Sequence, residues 1–410
     1  MISNYAVVLG VLCSILGIIF YTSTLPALRK FYHLIPPVLL CYFIPGLLTT
    51  AGLFAPEVTG DDSAIYKVVS QYFLPATLVL FTLSMDLKTL KKLGLRTVLV
   101  FLAGITGVVI GGPVAVWIVK QFSPETVGGA GSDAVWKGLA TIAGSWTGGG
   151  ANQAALKEIF QPSERLFSQS VAVDVIVGEL WMALMIYGAS RSLEIDRFFK
   201  ADASAIKEVQ ISLETYQAKN ERIPSTRDLV LIMAIGFGVT GFAHILADTI
   251  VPYIKQFPAL EKFSLTSKVF WIISVATFIG ISLSFTKVRE LEHAGASRIG
   301  SIFLYVLIAT IGLKMNLWAV ADNPGLFAVG VIWILIHGLF ILLGSKFLRA
   351  PFFFAAVGSQ AAIGGPASAP VVAAAFHPSL APVGVLLAIL GYAIGTYCGY
   401  ITGLLMQWVS

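Results

Sequence analysis

The chain has 410 residues, of which 57% are hydrophobic and only 12% are charged, and its mean hydropathy is +0.84. A soluble globular protein carries about 25% charged residues, so the composition excludes a soluble domain. The apolar residues come in blocks of about twenty or more, and this pattern predicts a polytopic all-α membrane protein. The net charge of +5 lies in a few short loops, which favours a role in membrane topology over nucleic-acid binding.

Taken in chain order, the apolar segments predict six membrane spans in each half. Those of the first half, which we expect to form one repeat over 1–189, lie near 5–22, 35–54, 66–85, 95–120, 138–158 and 168–189. Residues 190–227 are polar and mixed in charge, which indicates a linker, with a candidate surface helix over 202–219. The spans of the second repeat, 228–410, lie near 228–253, 268–285, 299–317, 325–345, 350–376 and 383–408.

The two halves resemble each other in sequence. Segment 73–87 matches segment 303–317 at a constant offset of 230. After one further span each half reaches a Gly-Ser pair, at 144–145 and at 358–359, with an offset of 214, and a glycine-rich stretch follows each pair. Matching blocks in the same order indicate an internal repeat.

Basic loops predict the orientation of the halves. Arg29, Lys30 and the basic residues of 88–96 mark cytoplasmic loops, because lysine and arginine are enriched on that side. Loop 318–325, the repeat partner of 88–96, has no basic residue, so we expect inverted topology. Six simple spans in each half would instead make the halves parallel. One segment must be re-entrant, unpaired or miscounted, and we expect 11 to 13 spans.

Two polar, glycine-rich breaks interrupt apolar segments, at 144–153 in the first half and at 358–368 in the second. Glycine costs about 1 kcal/mol relative to alanine inside a helix, and proline about 3 kcal/mol. Unwound backbone at membrane depth is tolerated only where protein buries it or where it lines a wet cavity. A break in each half is typical of the binding site of a secondary transporter. The alternative is that the glycines only allow close helix packing.

The breaks supply the candidate ligands. Half-helix N-termini suit an anion, and freed carbonyl and hydroxyl oxygens suit a sodium ion. The candidate solute-binding residues are the polar and glycine residues of the breaks: Ser145, Thr147, Gly148, Gly149, Asn152, Gln153, Ser359, Gln360, Gly364, Gly365 and Ser368. No cofactor is expected; the one candidate for a bound ion is sodium, with Thr147, Asn152 and Asp174 as candidate ligands.

Asp174 and Glu179 lie inside the span that follows the first break. A carboxylate in a membrane helix is costly and indicates function by default. Five residues place the two side chains about 140° apart on a helix, so we expect them not to share one site. Asp174, at the depth of the break, is the favoured cation ligand or proton carrier, with a hydrogen bond to a neighbouring helix as the alternative. Glu179 is a second candidate.

Other ionisable groups in apolar segments predict structure rather than chemistry. His244 and Asp248 share a helix face and are expected to pair, and His337 is expected to pack. The sequence contains no HExxH, CxxC cluster, Gly-x-Ser-x-Gly elbow or nucleotide-binding motif. An enzyme is therefore disfavoured.

The first break and the segment after it resemble a known family. The residues from Gly144 to Asn152, followed by Val173 and Asp174, resemble the YjcL-like membrane proteins. The resemblance extends over nearly the whole chain. That family is similar to the superfamily of cation:proton antiporters and anion symporters, which includes the glutamate:sodium and bile acid:sodium symporters. Segment 309–316 resembles the end of a scaffold helix in the glutamate:sodium symporters.

The resemblance implies inverted repeats, broken helices that cross at the membrane centre, and a core domain that moves against a scaffold. It also implies a homodimer in the bacterial cytoplasmic (inner) membrane. On this chain the crossing helices are 138–158 and 350–376, and the core adds 95–120, 168–189, 325–345 and 383–408. The break sequences differ from those of the characterised carriers, so their substrates do not transfer.

Two functions follow from these observations. The first is a sodium- or proton-coupled symporter of a small organic, anionic solute. The second is a cation/proton antiporter without an organic substrate, in which Asp174 exchanges its proton for a cation.

Overall fold

The computed structural model describes residues 1–35, 37–60, 63–85, 94–201, 206, 223–257, 260–261, 265–315, 322–377 and 380–410. Within these ranges the chain is helical, and an isolated bridge between Ile2 and Phe54 is the only strand-like pairing. The candidate surface helix over 202–219, the basic residues of 88–92 and Asn316 of the scaffold-like segment lie outside the described residues.

The helices of the first half include both pieces of the first broken segment. They are α1 (Tyr5–Ser23), α2 (Arg29–Leu34), α3 (Pro37–Thr50), α4 (Ala64–Val68), α5 (Leu74–Leu83), α6 (Leu95–Phe122), α7 (Val135–Gly148), α8 (Gly150–Phe160), α9 (Glu164–Ser190) and α10 (Ser192–Phe199). A π-helical turn, Val69–Phe73, joins α4 to α5.

The helices of the second half include both pieces of the second broken segment. They are α11 (Thr226–Ile254), α12 (Lys268–Ser284), α13 (Ala296–Gly312), α14 (Gly325–Phe347), α15 (Phe352–Ile363), α16 (Gly365–Phe376) and α17 (Ala381–Val409). A 3₁₀ segment, Lys287–Ala294, leaves the end of α12 at an angle of 95°.

Each predicted apolar segment falls on a helix or on a broken pair of helices. Seven helical runs of the described residues are long and apolar enough to cross a membrane, or eight if α12 and its bent continuation count as one. Six of them are α1, α6, α9, α11, α14 and α17, and the seventh is the run Pro56–Leu83, which includes α4 and α5. The other segments are shorter, such as α3 with 14 residues and α13 with 17. The all-helical class is therefore confirmed, while the count of 11 to 13 spans stays a prediction.

The outer surface is apolar in the middle of the long helices. Trp117 of α6 is 56% exposed, Ile245 of α11 is 64% exposed and Phe278 of α12 is 69% exposed. Large exposed apolar patches on a protein mark contact with another apolar phase. A surface of this kind is accommodated by lipid.

Short polar caps begin several helices. Asn4 accepts from the amide of Ala6 at the start of α1 (2.9 Å), and Ser163 accepts from the amide of Leu166 at the start of α9 (3.2 Å). Asp196 of α10 accepts from the amide of Phe352 at the start of α15 (2.7 Å). Burial raises the pKa of Asp196 above its usual range, and this hydrogen bond opposes the shift. The start of the linker thus holds the start of the second broken helix.

Two groups of helices share buried apolar side chains. The largest cluster joins α6, α7, α9, α14, α15, α16 and α17 around Trp146, Trp333 and Phe353. Separate clusters join α5 to α11, α12 and the start of α13. A further cluster, with α8 at its centre, packs α1, α3 and α13 against α17. The helix α8 thus lies between the two groups.

The predicted pairing of His244 with Asp248 is wrong. His244 Nε2 contacts the carbonyl oxygen of Gln71 at 3.0 Å, while Asp248 forms an ion pair with Lys268 at 2.5 Å. Both residues of α11 have partners on adjacent elements. An available partner across a helix interface therefore outcompetes one on the same face, which is worth only about 0.2–0.5 kcal/mol.

Candidate functional site

The first broken helix turns at one glycine. The helix α7 ends at Gly148 and α8 begins at Gly150, while Gly149 between them has φ of 85°. A positive φ costs an L-residue with a Cβ about 1–2 kcal/mol, so glycine is the suitable residue there. The amide of Gly149 donates to the carbonyl of Ser145 at 2.6 Å, which closes the last turn of α7.

The second broken helix turns in the same way. The helix α15 ends at Ile363 and α16 begins at Gly365, which has φ of 63°. The two turns touch, because a Cβ built on Gly149 would lie 3.6 Å from the Cα atom of Gly365. The N-termini of α8 and α16 therefore begin beside each other. The positive ends of two helix dipoles converge at this point.

Two glycines beside the first turn give a testable contrast. A Cβ on Gly148 would lie 2.1 Å from Asn152 Nδ2 and 2.4 Å from the carbonyl oxygen of Gly391, whereas a Cβ on Gly150 meets nothing closer than 3.9 Å. We expect Gly148→Ala to cost about 1–3 kcal/mol through overpacking, and Gly150→Ala to stay within about 1 kcal/mol of the parent. Thermal unfolding of the purified proteins in detergent measures both, and equal losses would contradict the packing at Gly148.

A cavity of about 450 Å³ adjoins the meeting point of the two turns. Small-molecule sites measure about 300–1,000 Å³, so the cavity is large enough for a solute of metabolite size. Its wall includes eight predicted site residues: Ser145, Gly149, Gln153, Asp174, Glu179, Gln360, Gly364 and Ser368. The wall is completed by Phe20 of α1, Arg29 and Tyr32 of α2, Tyr42 of α3 and Tyr305 of α13.

Asp174 of α9 is held by donors from both pieces of the first broken helix. Trp146 Nε1 donates to Oδ1 at 2.6 Å, and Gln153 Nε2 donates to Oδ2 at 2.8 Å. The hydroxyl of Tyr42 on α3 donates to Gln153 Oε1 at 3.3 Å. These bonds fix a buried carboxylate in the cavity wall and connect it to a helix outside the largest cluster.

Glu179 lies on the same cavity wall. Asp174 and Glu179 thus line one cavity, and the expectation that they do not share one site stays a prediction. Their side chains point about 140° apart around α9, but the cavity is wide enough to contact both of them. No side chain of the described residues forms a hydrogen bond or an ion pair with the Glu179 carboxylate, and the same holds for the guanidinium of Arg29.

The three candidate sodium ligands are divided between two neighbours. Thr147 donates to the carbonyl oxygen of Gly395 at 2.9 Å, and Asn152 Oδ1 accepts from Thr396 at 2.6 Å, so both contact α17. Asp174 instead bonds to Trp146 and Gln153. Adjacent helix residues point about 100° apart, so Trp146 and Thr147 cannot face the same partner. Thr147 and Asn152 therefore bond to α17 while Asp174 bonds within the cavity wall, and the sodium site stays a prediction.

Ser359 lies beside the cavity rather than on its wall. It accepts from Trp181 Nε1 at 2.8 Å and bonds to His337 Nε2 at 2.7 Å, while His337 Nδ1 contacts the carbonyl of Gly104 at 2.9 Å. These bonds join α9, α14, α15 and α6. The packing role predicted for His337 agrees with this position, and its two ring nitrogens are satisfied.

A buried charge cluster, which the sequence analysis did not single out, lies one helical turn from the cavity. Lys157 of α8 and Lys314 after α13 both pair with Glu164 Oε1, at 2.9 Å and 2.7 Å, and each lysine side chain is only 4% exposed. Both ammonium groups also lie over the ring of Tyr66, at 4.6 Å and 4.2 Å. A lysine inside a predicted span was the available signal for this cluster.

The cluster and the open part of the cavity lie toward opposite ends of α3. Pro37 at the start of α3 lines the cavity with Arg29, whereas Thr49 at its end donates to the carbonyl oxygen of Leu313 at 2.9 Å, next to Lys314. Along α8, Gln153 lies in the cavity wall, and Lys157 lies about 6 Å further on. The charge cluster therefore lies beyond the cavity wall along α8, toward the end of α3 that is opposite Arg29.

The apolar helices around this polar cavity define an integral, multi-pass membrane protein. The family model described as "Protein of unknown function (DUF819)" matches residues 10–409, so the chain belongs to that family. The "Uncharacterized membrane protein YjcL" of Bacillus subtilis (strain 168) is 24% identical over 361 residues, which cover 85% of this chain and 85% of the relative. The resemblance to YjcL-like proteins is confirmed.

Proposed function

We propose that this protein is a secondary transporter that couples a small organic anion to sodium ions or protons. The observation that carries the proposal is the cavity at which two interrupted helices touch, one from each half of the chain. Unwound backbone that lines a cavity is the usual binding site of such carriers. The guanidinium of Arg29 and the convergent starts of α8 and α16 favour an anionic group.

The transport cycle we propose is alternating access. The helices of the largest buried cluster form a moving core, and those around α5, α11 and α12 form a scaffold. The two halves are inverted repeats, as in the cation:proton antiporter and anion symporter superfamily that the sequence resembles. The protein lies in the cytoplasmic (inner) membrane of a bacterium, as a homodimer.

In this cycle the structure corresponds to a state open on one side. Arg29 belongs to a predicted cytoplasmic loop and lines the cavity, so the cavity opens toward the cytoplasm. The ion pairs of Lys157 and Lys314 with Glu164 close the outer side. They connect helices of both groups, so movement of the core past the scaffold breaks them.

Asp174 is the coupling residue in this proposal. Its carboxylate, held by two donors at the cavity, binds a sodium ion or carries a proton in the proposed cycle. The cycle requires no catalytic step from Asp174. The second candidate function is a cation/proton antiporter, and the observation that favours it is the same buried carboxylate. The two functions differ in whether an organic solute is needed for cation movement.

Uptake into proteoliposomes separates these functions. We expect a labelled carboxylate or amino acid from a metabolite panel to accumulate under an inward sodium or proton gradient, and not without a gradient. Under the antiporter alternative, cation flux persists with no organic solute present. A protein that moves neither solutes nor cations would contradict both functions.

A further inference from the structure

Two acceptors on residues of the cavity wall lack a donor among the described residues. Glu179 has no partner among the described residues, and Gln360, which is 1% exposed, has an unsatisfied Oε1 atom. The amide nitrogen of Gln360 is already committed, because it donates to Ser368 Oγ at 3.2 Å. A buried acceptor without a donor costs free energy, so a ligand that brings donors is favoured at this point.

Asp174 does not supply that free acceptor. Each of its carboxylate oxygens already accepts from a side chain of the first broken helix. Among the described residues that line the cavity, the carboxylate of Glu179 on α9 and the buried amide oxygen of Gln360 on α15 are two acceptors without a side-chain donor. A primary ammonium group matches them, since it has three donors, a positive charge and no acceptor.

The cavity also has a part that suits negative charge. Arg29 lines it without an ion-pair partner among the described residues, and the turns that begin α8 and α16 contribute Gly149, Gly150 and Gly364 to its wall. A carboxylate binds well to a guanidinium and to the free amides of a helix N-terminus. One cavity therefore holds complements for both a cation and an anion.

We propose that the transported solute is a zwitterion, an amino acid or a related amino carboxylate. Its ammonium group donates to Glu179 and to Gln360 Oε1, and its carboxylate faces Arg29 and the helix starts. This assignment rests on the proposed transport function and narrows its substrate class. A sodium ion bound by the same two acceptors is the competing occupant, and the experiment distinguishes it.

The test is the thermal stabilisation of purified protein by matched compounds. The probes are L-alanine and propionate, 4-aminobutyrate and butyrate, and L-glutamate and glutarate, in choline chloride and in sodium chloride. We expect at least one amino carboxylate to bind about tenfold more tightly than its partner without the amino group, since a charge-assisted hydrogen bond is worth about that factor. Glu179→Gln should remove the difference, and Asp248→Asn, an exposed acid in α11, should keep it.

Four results would overturn the assignment. The first is equal binding of the amino and desamino partners, and the second is a preference that survives in Glu179→Gln. The third is stabilisation by sodium chloride alone that Glu179→Gln removes, which assigns the acceptors to the cation. Binding of no amino carboxylate also overturns the assignment, while gradient-driven uptake still decides the transport proposal. If Glu179→Gln does not fold, Gln360→Met supplies the same comparison through the second acceptor.

Discussion

Asp174→Asn should reduce gradient-driven uptake to background while the protein stays folded. The substitution removes the charge that couples the solute to the cation but keeps the shape of the side chain. Asparagine Oδ1 still accepts from Trp146, and the amide of Gln153 can rotate so that its oxygen accepts from the new NH₂ group. The rotation sacrifices the bond from Tyr42, so the stability cost should be about 1–3 kcal/mol.

The measurement is uptake per folded protein in proteoliposomes, with thermal unfolding as the check on folding. The matched control is Asp248→Asn. It neutralises an acid whose side chain is 63% exposed, pairs with Lys268 and does not line the cavity. It should retain uptake. A folded Asp174→Asn protein that transports at the parent rate under a gradient would remove Asp174 from the coupling step.

Glu164→Gln should destabilise the protein and open its closed side. The variant leaves the ammonium groups of Lys157 and Lys314, each 4% exposed, without the carboxylate that they share. Breaking a buried ion pair by removing one partner costs about 3–5 kcal/mol. Because the proposed cycle closes the outer side of the cavity at this cluster, we also expect a cysteine at Ser145 to react faster with a membrane-impermeant maleimide added from the outer side.

The adjacent residue offers a matched control. Arg165 pairs with Asp322 at 2.8 Å, but their side chains are 64% and 41% exposed. An exposed pair contributes about 0–1 kcal/mol, so Arg165→Gln should change neither stability nor labelling to a comparable degree. Adding Lys314→Met to Glu164→Gln removes one of the two ammonium groups that shared the carboxylate and should recover part of the lost stability. Equal effects of Glu164→Gln and Arg165→Gln would show that the cluster does not close the cavity.

The interruptions of the helices could be predicted from the sequence because their cause is local. Glycine at 149 and at 365 allows a positive φ that other residues resist, and the flanking polar residues need partners other than lipid. The carboxylate of Asp174 was recognisable for a similar reason, since its cost in an apolar helix is a property of one residue. These features need no knowledge of neighbouring helices.

The composition of the cavity wall could not be predicted in the same way. Thr147 and Asn152 adjoin Trp146 and Gln153, which bond to Asp174, yet they themselves bond to α17. Ser359 bonds to Trp181 and His337. Which face of a helix meets the cavity depends on how it is rotated against its neighbours. Where apolar residues occur on all sides of a helix, the sequence pattern does not specify that rotation.

The helical class, the membrane location and the two interrupted segments follow from the order of residues alone, because they depend on hydrophobic length and on the conformational freedom of glycine. The shared cavity of Asp174 and Glu179, and the shared Glu164 of Lys157 and Lys314, become visible in the packed fold. Those groups come from α8, α9 and the end of α13, and their proximity arises from packing between segments distant in the chain. Packing of that kind is a cooperative property of all the helices, so no local stretch of residues encodes it.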